Sequence, residues 1–253
     1  MNKMINKVPA ITLFFWIIKV LATTVGETAA DYLSTTLHLG LTITSYIMAA
    51  ILLIVLVFQF RDKKYVPGIY WGAVVLLSIV GTLISDNLVD NLGVALSTTS
   101  IIFGSALIVV FVWWYLSERT LSVHKIDTTR REFFYWFAIL FTFSLGTSAG
   151  DLISESSGLG YAYATLLFAA VIGLIFLAYK YLKMNSILAF WLAYILTRPL
   201  GASLGDLLSQ EVKVGGLGLG TTVTSIVFLV TILTLVTYLS IHRKNQSLVK
   251  VKA

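Results

Sequence analysis

The sequence predicts an all-α polytopic membrane protein: eight transmembrane helices in four parallel two-helix repeats, in a pseudo-fourfold or two-times-two arrangement. Three observations predict it. Of 253 residues, 58% are hydrophobic and 12% charged, and the mean hydropathy is +0.90, which leaves too little polar surface for a soluble domain. Eight apolar stretches approach the roughly 20 residues a helix needs to cross a bilayer. One pattern of tryptophan, glycine and aspartate recurs four times along the chain.

The spans fall at about 9–31, 40–60, 66–88, 94–117, 132–153, 160–182, 186–207 and 217–241. Lys3 and Lys7 ahead of the first apolar run, with "TAAD" after it, imitate a signal peptide. The recurrence of that segment downstream argues for a span instead. Loop charge sets the orientation. Arg61, Lys63, Lys64, Arg119, Lys125, Arg130, Arg131, Lys180 and Lys183 fall on one side of an eight-span chain, with Lys3, Lys7, Arg243, Lys244, Lys250 and Lys252 in the tails. Lys213 alone faces them from the other side. By the positive-inside rule both termini are cytoplasmic, in a plasma (inner) membrane. The formal charge of +6 is thus an orientation signal, and no nucleic-acid partner is expected.

The four copies read "FWIIKVLATTVGETAAD", "YWGAVVLLSIVGTLISD", "YWFAILFTFSLGTSAGD" and "FWLAYILTRPLGASLGD". Each has an aromatic and a tryptophan, nine residues, a glycine, four residues and an aspartate. The tryptophans are Trp16, Trp71, Trp136 and Trp191; the glycines Gly26, Gly81, Gly146 and Gly201; the aspartates Asp31, Asp86, Asp151 and Asp206. A Leu-Gly pair (at Gly40, Gly93, Gly160 and Gly220) and a second span complete each copy. The single membrane domain, 1–253, therefore divides into repeats of about 9–60, 66–117, 132–182 and 186–241. Two spans per repeat send every copy into the membrane in the same direction, so the copies are related by an axis along the membrane normal. A ring of the odd spans around that axis is the natural expectation, with the first and fourth repeats as neighbours. On these motifs the chain resembles a bacterial family of four-repeat membrane proteins of unknown function, with two transmembrane segments and a characteristic tryptophan per repeat. The resemblance covers nearly the whole chain and implies an architecture without an activity.

Each glycine has a small residue four positions on (Ala30, Ser85, Gly150, Gly205), a spacing that lets helix backbones approach closely in lipid. The tryptophans, well inside the span, read as packing or pore-facing aromatics. The aspartates follow them by about 22 Å of helix and should lie near the outer ends of the odd spans, where the helix dipole is mildly unfavourable to a carboxylate. Two readings stand: each Asp accepts backbone N–H groups of the next turn, or the four form a ring that attracts and coordinates cations, a metal site.

Steps of four residues keep to one helix face. From Asp31 they reach Glu27, Thr23 and Lys19; from Asp86, Thr82, Ser78 and Val74; from Asp151, Thr147 and Phe143; from Asp206, Ala202 and Arg198. Thr23, Ser78, Thr82 and Thr147 would line a pathway, or else only bond their own helix backbone. Lys19, Glu27 and Asp31 cannot all face lipid cheaply, at about 2.5–3.5 kcal/mol each near a helix centre on insertion scales. Lys19 or Arg198 is therefore expected to pair with Glu27 or an aspartate, as a clamp or a gate, and Pro199 to kink the seventh span.

No cysteine is present, and no HExxH, GxSxG or phosphate-binding loop, so an enzyme is not expected. No cofactor is called for beyond a bound divalent cation. Oxygen ligands favour a hard ion, Mg²⁺, Mn²⁺ or Ca²⁺. The leading expectation is membrane transport of such a cation; the alternatives are a small-molecule or anion carrier centred on Lys19 and Arg198, or a non-transporting structural or sensory protein. The partners are the bilayer and the cation; a homo-oligomer is possible but not indicated.

Overall fold

The computed structural model describes residues 6–252, and their side chains through Ile241 except Glu155. Lys3, and the side chains of Glu155, Arg243, Lys244, Lys250 and Lys252, lie outside the described residues. Eight long helices carry the chain: α1 Leu13–Asp31, α2 Leu41–Arg61, α3 Pro67–Asp86, α4 Leu96–Glu118, α5 Thr129–Asp151, α6 Tyr161–Tyr181, α7 Ser186–Ser209 and α8 Thr221–Lys252. All eight are long and apolar enough to cross a membrane, and the protein is a multi-pass membrane protein.

Local chemistry sets many of the helix ends. Pro67 opens α3 from a position where its missing N–H is not needed. Asn185 caps α7 by accepting from the Ile187 and Leu188 amides at 2.9 and 3.2 Å. The recurring Leu-Gly pair is a turn. Gly40, Gly93, Gly160 and Gly220 sit at φ between 67° and 79°, a left-handed backbone that glycine adopts without steric cost, just ahead of each even helix. The first span begins at Leu13, not near residue 9.

Beyond Asp31, Asp86 and Asp151 the helix does not stop. It widens into a five-residue π turn, Tyr32–Thr36, Asn87–Asn91 and Leu152–Ser156, and α7 continues as α-helix past Asp206 to Ser209. The aspartates therefore stand inside a continuing helix, and the dipole penalty expected at a helix C-terminus does not fall on them.

The odd helices are the inner layer. Between 56% and 67% of each odd span is buried, against 17–22% of each even one. α1 packs on α3, α3 on α5, α5 on α7 and α7 on α1, which closes a ring. The even helices cover it from outside, each on the first helix of the following repeat: α2 on α3, α4 on α5, α6 on α7, and α8 back on α1. Their outer faces, including Ile43, Tyr46, Leu53, Ile101, Leu166 and Val230, are exposed as lipid requires.

The repeated glycines make the ring possible. A Cβ at Gly26 would overlap Ser78, at Gly81 Phe143, at Gly146 Arg198 and at Gly201 Thr23. Each glycine thus faces the same position of the next repeat, and the fourth faces the first. The repeated aromatic pairs close the same cycle. Trp71 packs on Phe15 at 5.5 Å between ring centroids, Trp136 on Tyr70 at 5.5 Å, Trp191 on Tyr135 at 6.2 Å and Trp16 on Phe190 at 5.7 Å. These distances are in the range where aromatic pairs attract beyond simple burial.

Candidate functional site

Stepping by fours along the ring helices stacks the predicted residues in layers on the axis. At one end Asp31, Asp86, Asp151 and Asp206 line a single cavity of about 150 Å³ together with Glu27, Asp90 and Gln210. Asp31, Asp86 and Asp151 are half-buried and Asp206 is buried. Gln210 Nε2 donates weakly to Asp31 Oδ2 at 3.5 Å. The carboxylates come from all four repeats, because equivalent positions on parallel helices of a closed ring share a level. They are spread around the cavity. Among the described residues no three His, Asp or Glu side chains are near enough to hold a metal ion together. An ion in this cavity could take one or two carboxylates directly and would meet the others through its water.

Glu27 forms the cavity floor, and below it lies Arg198, fully buried. Its Nη2 donates to Glu27 Oε2 at 2.7 Å, to Thr147 Oγ1 at 2.7 Å and to Thr82 Oγ1, while Nη1 reaches the Thr23 carbonyl at 3.3 Å. One guanidinium on α7 thus touches α1, α3 and α5. Glu27, Thr82 and Thr147 occupy the same position in their repeats, one after the glycine. The fourth copy has Ala202 there, which leaves room for the bond network without a fourth polar group. The expectation that Lys19 or Arg198 pairs with Glu27 resolves to Arg198. The ion pair needs this support, since a buried charge without compensating bonds costs several kcal/mol.

Thr23, Ser78, Thr82 and Thr147 are all buried on the ring's inner face. Thr23 donates to carbonyls of its own helix and lies 3.0 Å from the Thr197 carbonyl. The Ser78 hydroxyl makes no hydrogen bond among the described residues, while its carbonyl accepts from Thr82 Oγ1 at 3.1 Å. Pro199 sits within an α7 that is helical from Ser186 to Ser209, and its ring faces Gly146 and Gly150.

Among the described residues Lys19 forms no ion pair, and the expected pairing falls to Arg198. Its Nζ lies 4.2 Å from the ring centroids of both Phe143 and Tyr194, and π faces take the place of a carboxylate. Glu27 stands two turns away and is already engaged by Arg198, so a carboxylate partner is out of reach. Beneath Lys19 the aromatic girdle fills the axis, with the Tyr70 and Tyr135 hydroxyls 2.5 Å apart.

At the opposite end from the aspartates, Lys7 is not a solvent-facing orientation charge. Its side chain is fully buried, with Nζ 2.5 Å from Glu132 Oε2 and 3.0 and 3.2 Å from the Gln59 and Phe60 carbonyls. Gln59 Nε2 donates to the other Glu132 oxygen at 2.9 Å. The last carbonyls of α2 are unpaired by their own helix, and together with Glu132 they hold the lysine. Sequence reasoning missed this clamp, since Glu132 and Lys7 are 125 residues apart and nothing in their spacing joins them.

Comparison with known protein families matches residues 14–65, 69–120, 134–185 and 189–245 to one family, described as Repeat of Unknown Function (DUF347). No curated protein and no solved structure matches the chain. The four matched segments each begin one residue before the aromatic pair and run through one odd and one even helix. With nearly its whole length so matched, the chain belongs to the DUF347 family of repeats of unknown function, of which it carries four copies.

Proposed function

We propose that the protein transports a hard divalent cation across a bacterial inner membrane. The observation that carries this reading is the acidic cavity, lined by carboxylates from all four repeats and floored by an ion pair. Such a mouth concentrates cations and repels anions. The spread of the carboxylates suits an ion that sheds its water reluctantly and binds one or two carboxylates, as Mg²⁺ does. The loop cations Arg61, Lys63, Lys64, Arg119, Lys125, Arg130, Arg131, Lys180 and Lys183 sit at the end away from the aspartates, which supports a cavity open to the outside and tails in the cytoplasm.

The floor supplies the gate. Arg198 holds Glu27 and, through Thr82 and Thr147, the neighbouring helices. A cation that takes the Glu27 carboxylate competes with the guanidinium, and the released arginine no longer ties the four helices. An anion carrier centred on Lys19 and Arg198 would need its substrate to pass the carboxylates first, which disfavours it.

The test is flux of Mg²⁺, Mn²⁺ and Ca²⁺ into proteoliposomes. Wild type is compared with the folded double variant Asp86→Asn, Asp151→Asn. Flux in wild type and its loss in the variant is the expected result. Equal flux in both overturns the carboxylate pathway, and loss of an organic-anion flux in Arg198→Gln alone would favour the carrier reading.

A further inference from the structure

The acidic cavity and its floor leave one buried cation without a task. Lys19 is fully buried, its Nζ makes no hydrogen bond among the described residues, and two ring faces are its nearest support. Phe143 comes from α5 and Tyr194 from α7; Arg198, also on α7, is the charged group near enough to interact with it. At the same level α3 presents the apolar Val74, and Glu27 on α1 is bound to Arg198. A lysine held only by ring faces can release or take up its proton without leaving any neighbour's hydrogen bond broken.

A path for that proton continues below it. The Tyr194 hydroxyl approaches that of Tyr135 without a well-formed hydrogen bond. Tyr135 and Tyr70 are joined hydroxyl to hydroxyl. Tyr65, half-buried two residues ahead of α3, packs edge-on to Tyr70 at 5.5 Å between ring centroids. These four phenols run from Lys19 to the end of the bundle that carries the tails.

We infer that Lys19 is a proton-binding site and that the protein exchanges its cation for a proton. The inference rests on the cation-transport reading and names the coupling ion. A cation at Glu27 deprives Arg198 of its counter-ion. Two buried cations then face each other, and their repulsion is relieved when the Lys19 ammonium gives up its proton. The nitrogen keeps its lone pair, and the proton leaves on the side of the acidic cavity. When the cation departs toward the tails, Glu27 returns to Arg198 and Lys19 takes up a proton from that end along Tyr70, Tyr135 and Tyr194. Cation at Glu27 and proton on Lys19 exclude one another, so a single pathway moves the two in opposite directions.

The experiment measures Mg²⁺ or Mn²⁺ binding by calorimetry on the full-length protein in detergent, and proton release by a pH dye in weak buffer. Wild type should bind the ion and release protons. Lys19→Arg keeps the charge and the volume but holds its proton; it should bind the ion with that release lost. Lys19→His should regain release with a shifted pH dependence, an effect a merely structural lysine would not produce. Ion binding by wild type without proton release, or undiminished release from Lys19→Arg, overturns the inference while leaving cation transport standing. Absence of ion binding and flux in wild type overturns the transport reading itself, and the inference with it.

Discussion

The same four helices carry two chemistries along one axis. Toward the tails the repeats are nearly interchangeable: each has an aromatic pair, and each tryptophan packs on the aromatic of the preceding copy, through to Trp16 on Phe190. Toward the aspartates the copies diverge. One level holds Glu27, Thr82, Thr147 and Ala202, and the next holds Thr23, Ser78, Phe143 and Arg198. Packing tolerates repetition because every interface in a ring asks for the same shape. An ion pair does not, since four arginines on one axis would repel. The difference teaches that the aromatic half builds the ring, and that the broken symmetry of the other half is where a specific site can form.

The largest effect should come from the centre of the broken half. Arg198→Ala leaves Glu27 buried without its partner and should destabilise the protein by about 3–5 kcal/mol, read as a fall in unfolding temperature in detergent. Replacing both, with Arg198→Leu and Glu27→Leu, should recover most of that loss. A double variant no better than the single one would mean that the threonine bonds matter more than the pair.

Next come the helix contacts that both halves share. Gly146→Ala forces a methyl group into the Arg198 side chain and should cost roughly 1–3 kcal/mol. Gly173→Ala, on α6 with open space around it, should be neutral or stabilising by up to about 1 kcal/mol. Equal effects at the two sites would break the distinction between ring and cover. In the aromatic half, Tyr70→Phe removes the bond to Tyr135 and should cost about 1 kcal/mol, with folding otherwise intact. The smallest change in stability is expected at the cavity wall. Asp86→Asn or Asp151→Asn, at half-buried carboxylates, should stay within about 0.5 kcal/mol while abolishing cation flux. A strong stabilisation or destabilisation there would show that the aspartates serve the fold first.

Much of the ring was legible in the sequence, because hydropathy, tryptophan, glycine and aspartate recur at fixed spacing and because residues four apart share a helix face. The Glu27 side of the central ion pair was legible too, as a charge that lipid would reject. The π turns after three of the aspartates were not, since a widened turn depends on how each helix end meets its neighbour. The Lys7–Glu132 clamp was not either, for its partners come from distant segments whose approach only the closed ring brings about.

Composition and periodicity by themselves determined that this chain crosses the membrane in four parallel pairs, because the length of an apolar helix and its 3.6-residue period are local properties. Which cation meets which carboxylate was decided only by tertiary structure. Arg198 and Lys19 are equally buried and differ by one helical level. One reaches Glu27 and the hydroxyls of two other helices, and the other, among the described residues, rests against two ring faces. That choice depends on a few ångströms of helix register, which no spacing in a linear sequence contains.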